Sequence, residues 1–201
     1  MNTNNETIYL QEDSRNKVGA HDLKNKYFQE NGIKVLRSKL PFGDYAIVGK
    51  INLTIDTKMS SLELFNCLTK DHVRFRNEIK NANDFNIGIV ILIEEEDFYA
   101  TLDTYARWYR VPLWKNDGWK IVNGKKHKTH SKGEPMTKAD VTTMVKVMKT
   151  MQEKYAVLFK FTTKERCGSD IIKILYNRYN DYNNYFQKKL NEIRSKEVNA
   201  K

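Results

Sequence analysis

Asp44, Asp56 and Lys58 are the residues whose types and spacing could do chemistry. Asp44 follows Gly43 at the start of one short predicted strand, and Asp56-Thr57-Lys58 closes the next, twelve positions after Asp44. Carboxylates so placed can hold a hard divalent cation, which polarises a phosphoryl oxygen and draws hydroxide from a bound water. A fixed ammonium beside the charge that develops on phosphorus is Lys58's expected part. Alternate residues of a strand point the same way. Asp56 and Lys58 therefore share a face, with the Thr57 side chain turned away and its carbonyl free for the metal. The competing reading is a pair of solvated charges at a strand end, since acid-x-Lys triplets recur by chance in so charged a chain.

Other residues extend this set. Asp13 follows the first predicted strand and is either a turn residue or a further group for metal or water. Arg15 either pairs with Glu12 at the surface or binds a phosphate. Arg74 and Arg76 flank the apolar Phe75 on a predicted helix; one is expected to pair with Asp71 or Glu78, the other to face a phosphate backbone. The run from Lys125 to Lys132, with Lys125, Lys126 and Lys128 as its cations, has tryptophans nearby. It is either a solvated loop or a strand-following surface that works by charge and stacking.

The elements that must position these residues follow from periodicity. Strands are expected at Thr7 to Leu10, Ile33 to Leu40, Asp44 to Gly49, Ile51 to Lys58, Gly88 to Glu94 and Ala156 to Thr162. The second to fourth read as a meander, and Gly88 to Glu94 as a strand covered on both faces. Helices are expected from His21 to Asn31, from Leu62 to Ala82 with a break near Lys70-Asp71, from Pro135 to about Tyr155, and from Asp170 to about Arg194. Trp108 to Glu134 reads as a long loop or hairpin. This is an α/β fold, a mixed central sheet flanked by helices. One nuclease-type domain spans residues 1–201, its core running from about 7 to 175 and a helix and basic tail from about 170 to 201.

Composition bounds the rest. Of 201 residues, 35 are Lys or Arg and 25 are Asp or Glu, a net charge of +10 that suits a polyanion. DNA is preferred to a membrane, because no basic stretch has a clean apolar face. Cys67 and Cys167 form no disulfide framework, and Cys67 reads as a buried thiol. The first residues lack the apolar core of a leader peptide, so a cytoplasmic location is expected.

Together these residues resemble a family. Asp13-Ser14-Arg15, Gly43-Asp44-Tyr45 and Asp56-Thr57-Lys58 follow in order and spacing the motifs of the XPF family of structure-specific endonucleases, within the PD-(D/E)xK superfamily. Its pattern is D-x-R-E, G-D-Y/F, then E-R-K-x-x-x-D. Leu62-Glu63, His72 to Glu78 and Met148 to Tyr155 look like the short single-domain members of phages and prophages. The resemblance covers roughly Ile8 to Leu175. There are departures: Asn16 stands where the family has the first motif's glutamate, Asp56 for the second glutamate and Thr57 for the arginine. Glu63 stands one position out of register for the trailing aspartate. The tandem helix–hairpin–helix module is absent.

What the resemblance implies is a Mg²⁺-dependent DNA endonuclease, with Mn²⁺ substituting, acting on branched or junction DNA in phage recombination, replication or repair. Asp44 and Asp56 would hold the metal with Asp13 assisting, Lys58 would stabilise the transition state, and Arg15, Arg74, Arg76 and the Lys125 run would bind DNA. Paired cuts on a junction would require a homodimer, for which Tyr179, Tyr182 and Phe186 are the candidate contact. A DNA-binding module without chemistry and a nuclease of broad specificity are the competing expectations.

Overall fold

The computed structural model describes residues 7–17, 19, 21–109, 119–122, 125–128 and 136–199. Its strands are β1 (Tyr9–Asp13), β2 (Lys34–Ser38), β3 (Tyr45–Ile47), β4 (Lys50–Lys58), β5 (Gly88–Glu94), β6 (Trp119–Val122), β7 (Lys125–Lys128) and β8 (Val157–Thr162). Its helices are α1 (Asp22–Glu30), α2 (Ser61–Thr69), α3 (His72–Asp84), α4 (Leu102–Trp108), α5 (Lys138–Lys154), α6 (Cys167–Ile172) and α7 (Tyr179–Asn199), with a π-helical turn at Lys173–Asn177.

Six strands form one mixed sheet in the order β2-β1-β3-β4-β5-β8. The triple β4-β5-β8 is parallel, as is the pair β1-β2, while β3 runs antiparallel to both its neighbours. The expected meander is thus corrected. After α1 the chain returns beside β1 on its outer side, and the segment after β2 carries it back across to begin β3. Alternation along each segment marks it as a strand but says nothing of which neighbour it takes.

All seven residues of β5 are buried, as its unbroken apolar run predicts. On one face Ile89, Ile91 and Ile93 pack beneath α2, α3, α4 and α5, with Leu64, Phe75, Ile79, Val141, Met144 and Met148 as the covering side chains. On the other, Val90 and Leu92 pack with Tyr45, Leu53, Ile55 and Phe28 beneath α1, α6 and α7. Gly88 opens β5 where an added Cβ would lie 2.2 Å from the Phe186 ring, so α7 lies directly on the central strand.

The helical boundaries obey local signals. The break at Lys70-Asp71 is real and separates α2 from α3. α5 begins at Lys138 rather than Pro135 because Thr137 forms a capping box with Asp140: the Thr137 hydroxyl accepts from Asp140 N at 3.2 Å, and the Asp140 carboxylate accepts from Thr137 N at 2.8 Å. The expected single closing helix is divided into α6, the π turn and α7. The wider turn shifts the helical phase, so the tyrosine series splits: Tyr176 and Tyr185 are exposed, whereas Tyr182 is buried. α4, capped by Thr101, was not evident from the pattern. Between Trp108 and Glu134 the described part is a hairpin of β6 and β7, with Trp119 opposite Lys128.

Candidate active site

The ends of three adjacent strands bring the predicted acids together. β1 ends at Asp13, β3 begins one residue after Asp44, and β4 ends at Lys58. Asp44 is tied to both neighbours, since its N–H donates to the Ile55 carbonyl at 2.7 Å and its carbonyl accepts from Asp13 N at 2.8 Å. The preceding Gly43 has φ +71°, and a Cβ there would meet the Ile55 carbonyl at 2.8 Å. Only glycine lets the chain turn this closely onto β4.

β4 outruns β3, whose last pairing at this end is Tyr45 with Ile55. The Thr57 N–H would therefore lack a ladder partner on that side. The Asp44 carboxylate fills the place, its Oδ2 accepting from Thr57 N at 2.8 Å and from the Thr57 hydroxyl at 2.5 Å. Thr57 is thus no bystander, because its side chain bends across the strand end to orient Asp44. Asp44 Oδ1 carries no hydrogen bond among the described residues.

Asp56 and Lys58 share a face, as i and i+2 must, and lie against each other. Lys58 Nζ stands 2.7 Å from one Asp56 oxygen and 2.8 Å from the other, both side chains being largely buried. Phe75 of α3 lies beneath the ammonium, its ring centroid 5.7 Å away. Burial alone would discharge Lys58, but the Asp56 carboxylate outweighs it and holds the ammonium above its ordinary value. The strain of the pair falls on Asp56. Burial pushes its carboxyl up to about 7 against the pull of Lys58, and the nearby Asp44 adds to the rise. Such a carboxylate gains most from additional positive charge.

Asp13 is buried beside them, but Arg15 grips it. The guanidinium Nε lies 3.0 and 2.9 Å from its two oxygens and the Arg15 N–H 2.8 Å from Oδ1, while Nη2 also reaches Oδ2 and the Leu40 carbonyl. Burial would raise this carboxyl, yet Arg15 wins and holds it below the usual range. Arg15 therefore pairs with Asp13 rather than with the expected Glu12, which lies on the opposite face 3.5 Å from Arg37.

The other predicted residues divide. Arg74 stands 3.7 Å from both Asp71 and Glu78, whereas Arg76 is exposed and makes no ion pair among the described residues. Glu78 lies near enough for its charge to act on Asp56 and Arg15, which places this side of α3 along the site. Glu63 caps α2, accepting from Met59 N at 2.8 Å. Lys125, Lys126 and Lys128 lie along β7, and their side chains fall outside the described residues. Tyr182 and Phe186 are buried in the protein's own core, which corrects their assignment to a dimer contact.

Among the described residues no three His, Cys, Asp or Glu side chains form a metal cage. Asp44 Oδ1 and the Asp56 carboxylate nevertheless suit Mg²⁺, an ion that takes one or two carboxylates and keeps several waters.

No protein-family profile matches the chain, and no curated protein does. Solved structures do. XPF from Aeropyrum pernix in complex with DNA superposes with a TM-score of 0.54 at 13% identity, over 87% of this chain and 66% of that one. XPF from Aeropyrum pernix superposes with a TM-score of 0.50 at 13% identity, over 93% of this chain and 69% of that one. The fold is XPF-like. The chain spans about two thirds of the length of those proteins.

Sequence reasoning missed the polar layer beneath the site in this XPF-like sheet. Lys24 of α1 and Glu94 of β5 form a buried ion pair. Glu12 is buried close by, and His21 Nδ1 lies 2.5 Å from the Tyr45 hydroxyl. Two signals could have revealed it: an acid ending the most apolar strand, and a second acid at Glu12, in phase with the buried Leu10. Among the described residues no helix is long and apolar enough to cross a membrane.

Proposed function

We propose that the chain is a divalent-metal-dependent DNA endonuclease that hydrolyses phosphodiester bonds and favours branched or junction DNA. What carries the reading is the Asp56–Lys58 pair, half-desolvated at a strand end beside Asp44, at the end of an XPF-like sheet. Asp44, through Oδ1, and Asp56 would hold Mg²⁺, with Mn²⁺ substituting and Asp13 assisting from the next strand. The ion supplies, when bound, a Lewis acid for a phosphoryl oxygen and an acidified water. Thr57 fixes the direction of Asp44. Lys58, already charged and aimed by Asp56, places a hydrogen-bond donor where charge develops on the phosphate. Arg15 and Arg76 offer exposed cations to the flanking backbone.

The alternative is a DNA-binding module without chemistry, favoured by the hold of Arg15 on Asp13 and the lack of a three-acid cage. A panel of labelled DNAs (four-way junction, flap, fork, duplex and single strand) incubated with Mg²⁺, Mn²⁺ or EDTA separates the two. Cleavage of branched forms that EDTA abolishes is the expected result. Binding without cleavage under every metal would sink the enzyme reading.

A further inference from the structure

A second charged feature lies at the β8 edge. Lys160, Arg166, Lys173 and Arg178 surround a cleft of about 120 Å³ whose walls include Phe98 and Tyr182. Tyr182 serves as a platform for two of these cations, with Lys160 Nζ 5.7 Å and the Arg178 guanidinium carbon 5.5 Å from its ring centroid. The Arg166 guanidinium carbon lies 4.5 Å from the centroid of Phe98, an exposed ring.

Carboxylates cover only part of this charge. Arg166 stands 3.7 Å from Asp170 and Arg178 stands 3.0 Å from Asp181. Lys160 and Lys173 make no ion pair among the described residues. Lys160 is half-buried, so its ammonium is partly withdrawn from water with no carboxylate in exchange. An anion entering the cleft would relieve it. The backbone gives an independent pointer, because the π turn Lys173–Asn177 runs along this wall and ends at Arg178. Such widened turns are rare and recur at functional sites. The volume suits a phosphate group rather than a whole nucleotide, and Phe98 offers an adjacent face for a base.

We infer that this cleft is a second DNA-contact site, taking a backbone phosphate between Lys160 and Lys173 with a neighbouring base against Phe98. The inference rests on the reading of the chain as a DNA nuclease and adds to it a way of choosing substrates. Asp56 and Lys58 project from one face of the sheet, Lys160 from the other. DNA that engages both must pass around the β8 edge or send a second arm there, which separates branched from linear forms.

The test is fluorescence anisotropy with a labelled three-way junction and a linear duplex of the same arm length, in EDTA, over a series of salt concentrations. Replacing Lys160→Ala and Lys173→Ala together should weaken junction binding several-fold and flatten its salt dependence by about 1.8, from about 0.9 per phosphate contact. Duplex binding should change less, and the Lys160→Arg, Lys173→Arg pair should restore the junction value. If the alanine pair lowers the melting temperature, Lys173→Glu at its exposed position gives the same comparison. Unchanged junction affinity and slope in a folded variant would overturn the cleft while leaving the nuclease reading standing. Equal losses on both DNAs would overturn its assignment to a second arm. A wild-type protein that binds neither DNA would overturn the nuclease reading itself.

Discussion

Beneath the sheet, Lys24 and Glu94 are buried together under α1, while on the opposite face Asp56 and Lys58 form a similar pair beside Asp44. Both stand at the same end of the strands and both join an acid to a lysine. The lower pair is closed over by helices. In the upper pair, a second carboxylate stands close enough to push Asp56 up to about 7. Asp44 there keeps an oxygen without a partner among the described residues. The lower arrangement is complete in itself, whereas the upper one lacks positive charge. That difference separates a pair that holds the fold from one poised for a ligand.

Mutating each pair in turn should break the comparison most sharply. Asp56→Ala and Lys58→Ala should each reduce cleavage by about a thousandfold or more, roughly 4 kcal/mol of transition-state stabilisation, with DNA binding and melting temperature nearly kept. Lys24→Ala should do the reverse, costing about 3–5 kcal/mol of stability because it strands a buried carboxylate. Urea unfolding beside a cleavage assay reads both, and an Asp56→Ala variant with near wild-type rates would end the site assignment.

A smaller effect concerns pH. The folded Asp56 holds a proton up to about 7, where the unfolded residue would lose it near its ordinary 3.8. Its contribution to stability therefore falls as pH rises from about 4 to about 7. The melting temperature of the wild type, compared with that of Asp56→Asn, should show this decline without metal and less of it with Mg²⁺. Cleavage should rise through the same upper range. A flat difference between wild type and variant would mean that Asp56 is fully ionised throughout.

The smallest change sharpens the upper site alone. Thr57→Val removes the hydroxyl that holds Asp44 but keeps the shape, and should cost about 0.5–1.5 kcal/mol of stability. Cleavage should drop by about tenfold, equivalent to 1.4 kcal/mol, with a weaker apparent affinity for Mn²⁺ by calorimetry. An unaltered metal titration would show that Asp44 needs no such support.

The acids themselves were legible because strand alternation and a glycine turn leave local marks. Gly43 is confined by the Ile55 carbonyl, and Asp56 and Lys58 must share a face whatever the strand's neighbours. β5, apolar along its length, announced its burial. What stayed hidden depends on partners distant in sequence. Nothing local says that β2 lies beside β1, that Arg15 turns onto Asp13, or that Lys24 meets Glu94 across seventy residues. Thr57 misled because alternation assigns a direction to each side chain but cannot foresee that β3 stops short of it. The Tyr179 to Phe186 stretch was misjudged because one widened turn changes which of its residues face inward.

The contact of Phe186 with Gly88 also orders events in time. Val90 and Leu92, in the middle of the sheet, are covered by side chains from the last quarter of the chain, among them Phe186 and Leu190. During synthesis the strands that carry Asp44, Asp56 and Lys58 emerge early, yet the apolar underside of their sheet stays open until that helix has been made. The catalytic ends are thus translated long before they can be held rigid, and closure of the fold waits on a segment that bears none of the proposed chemistry.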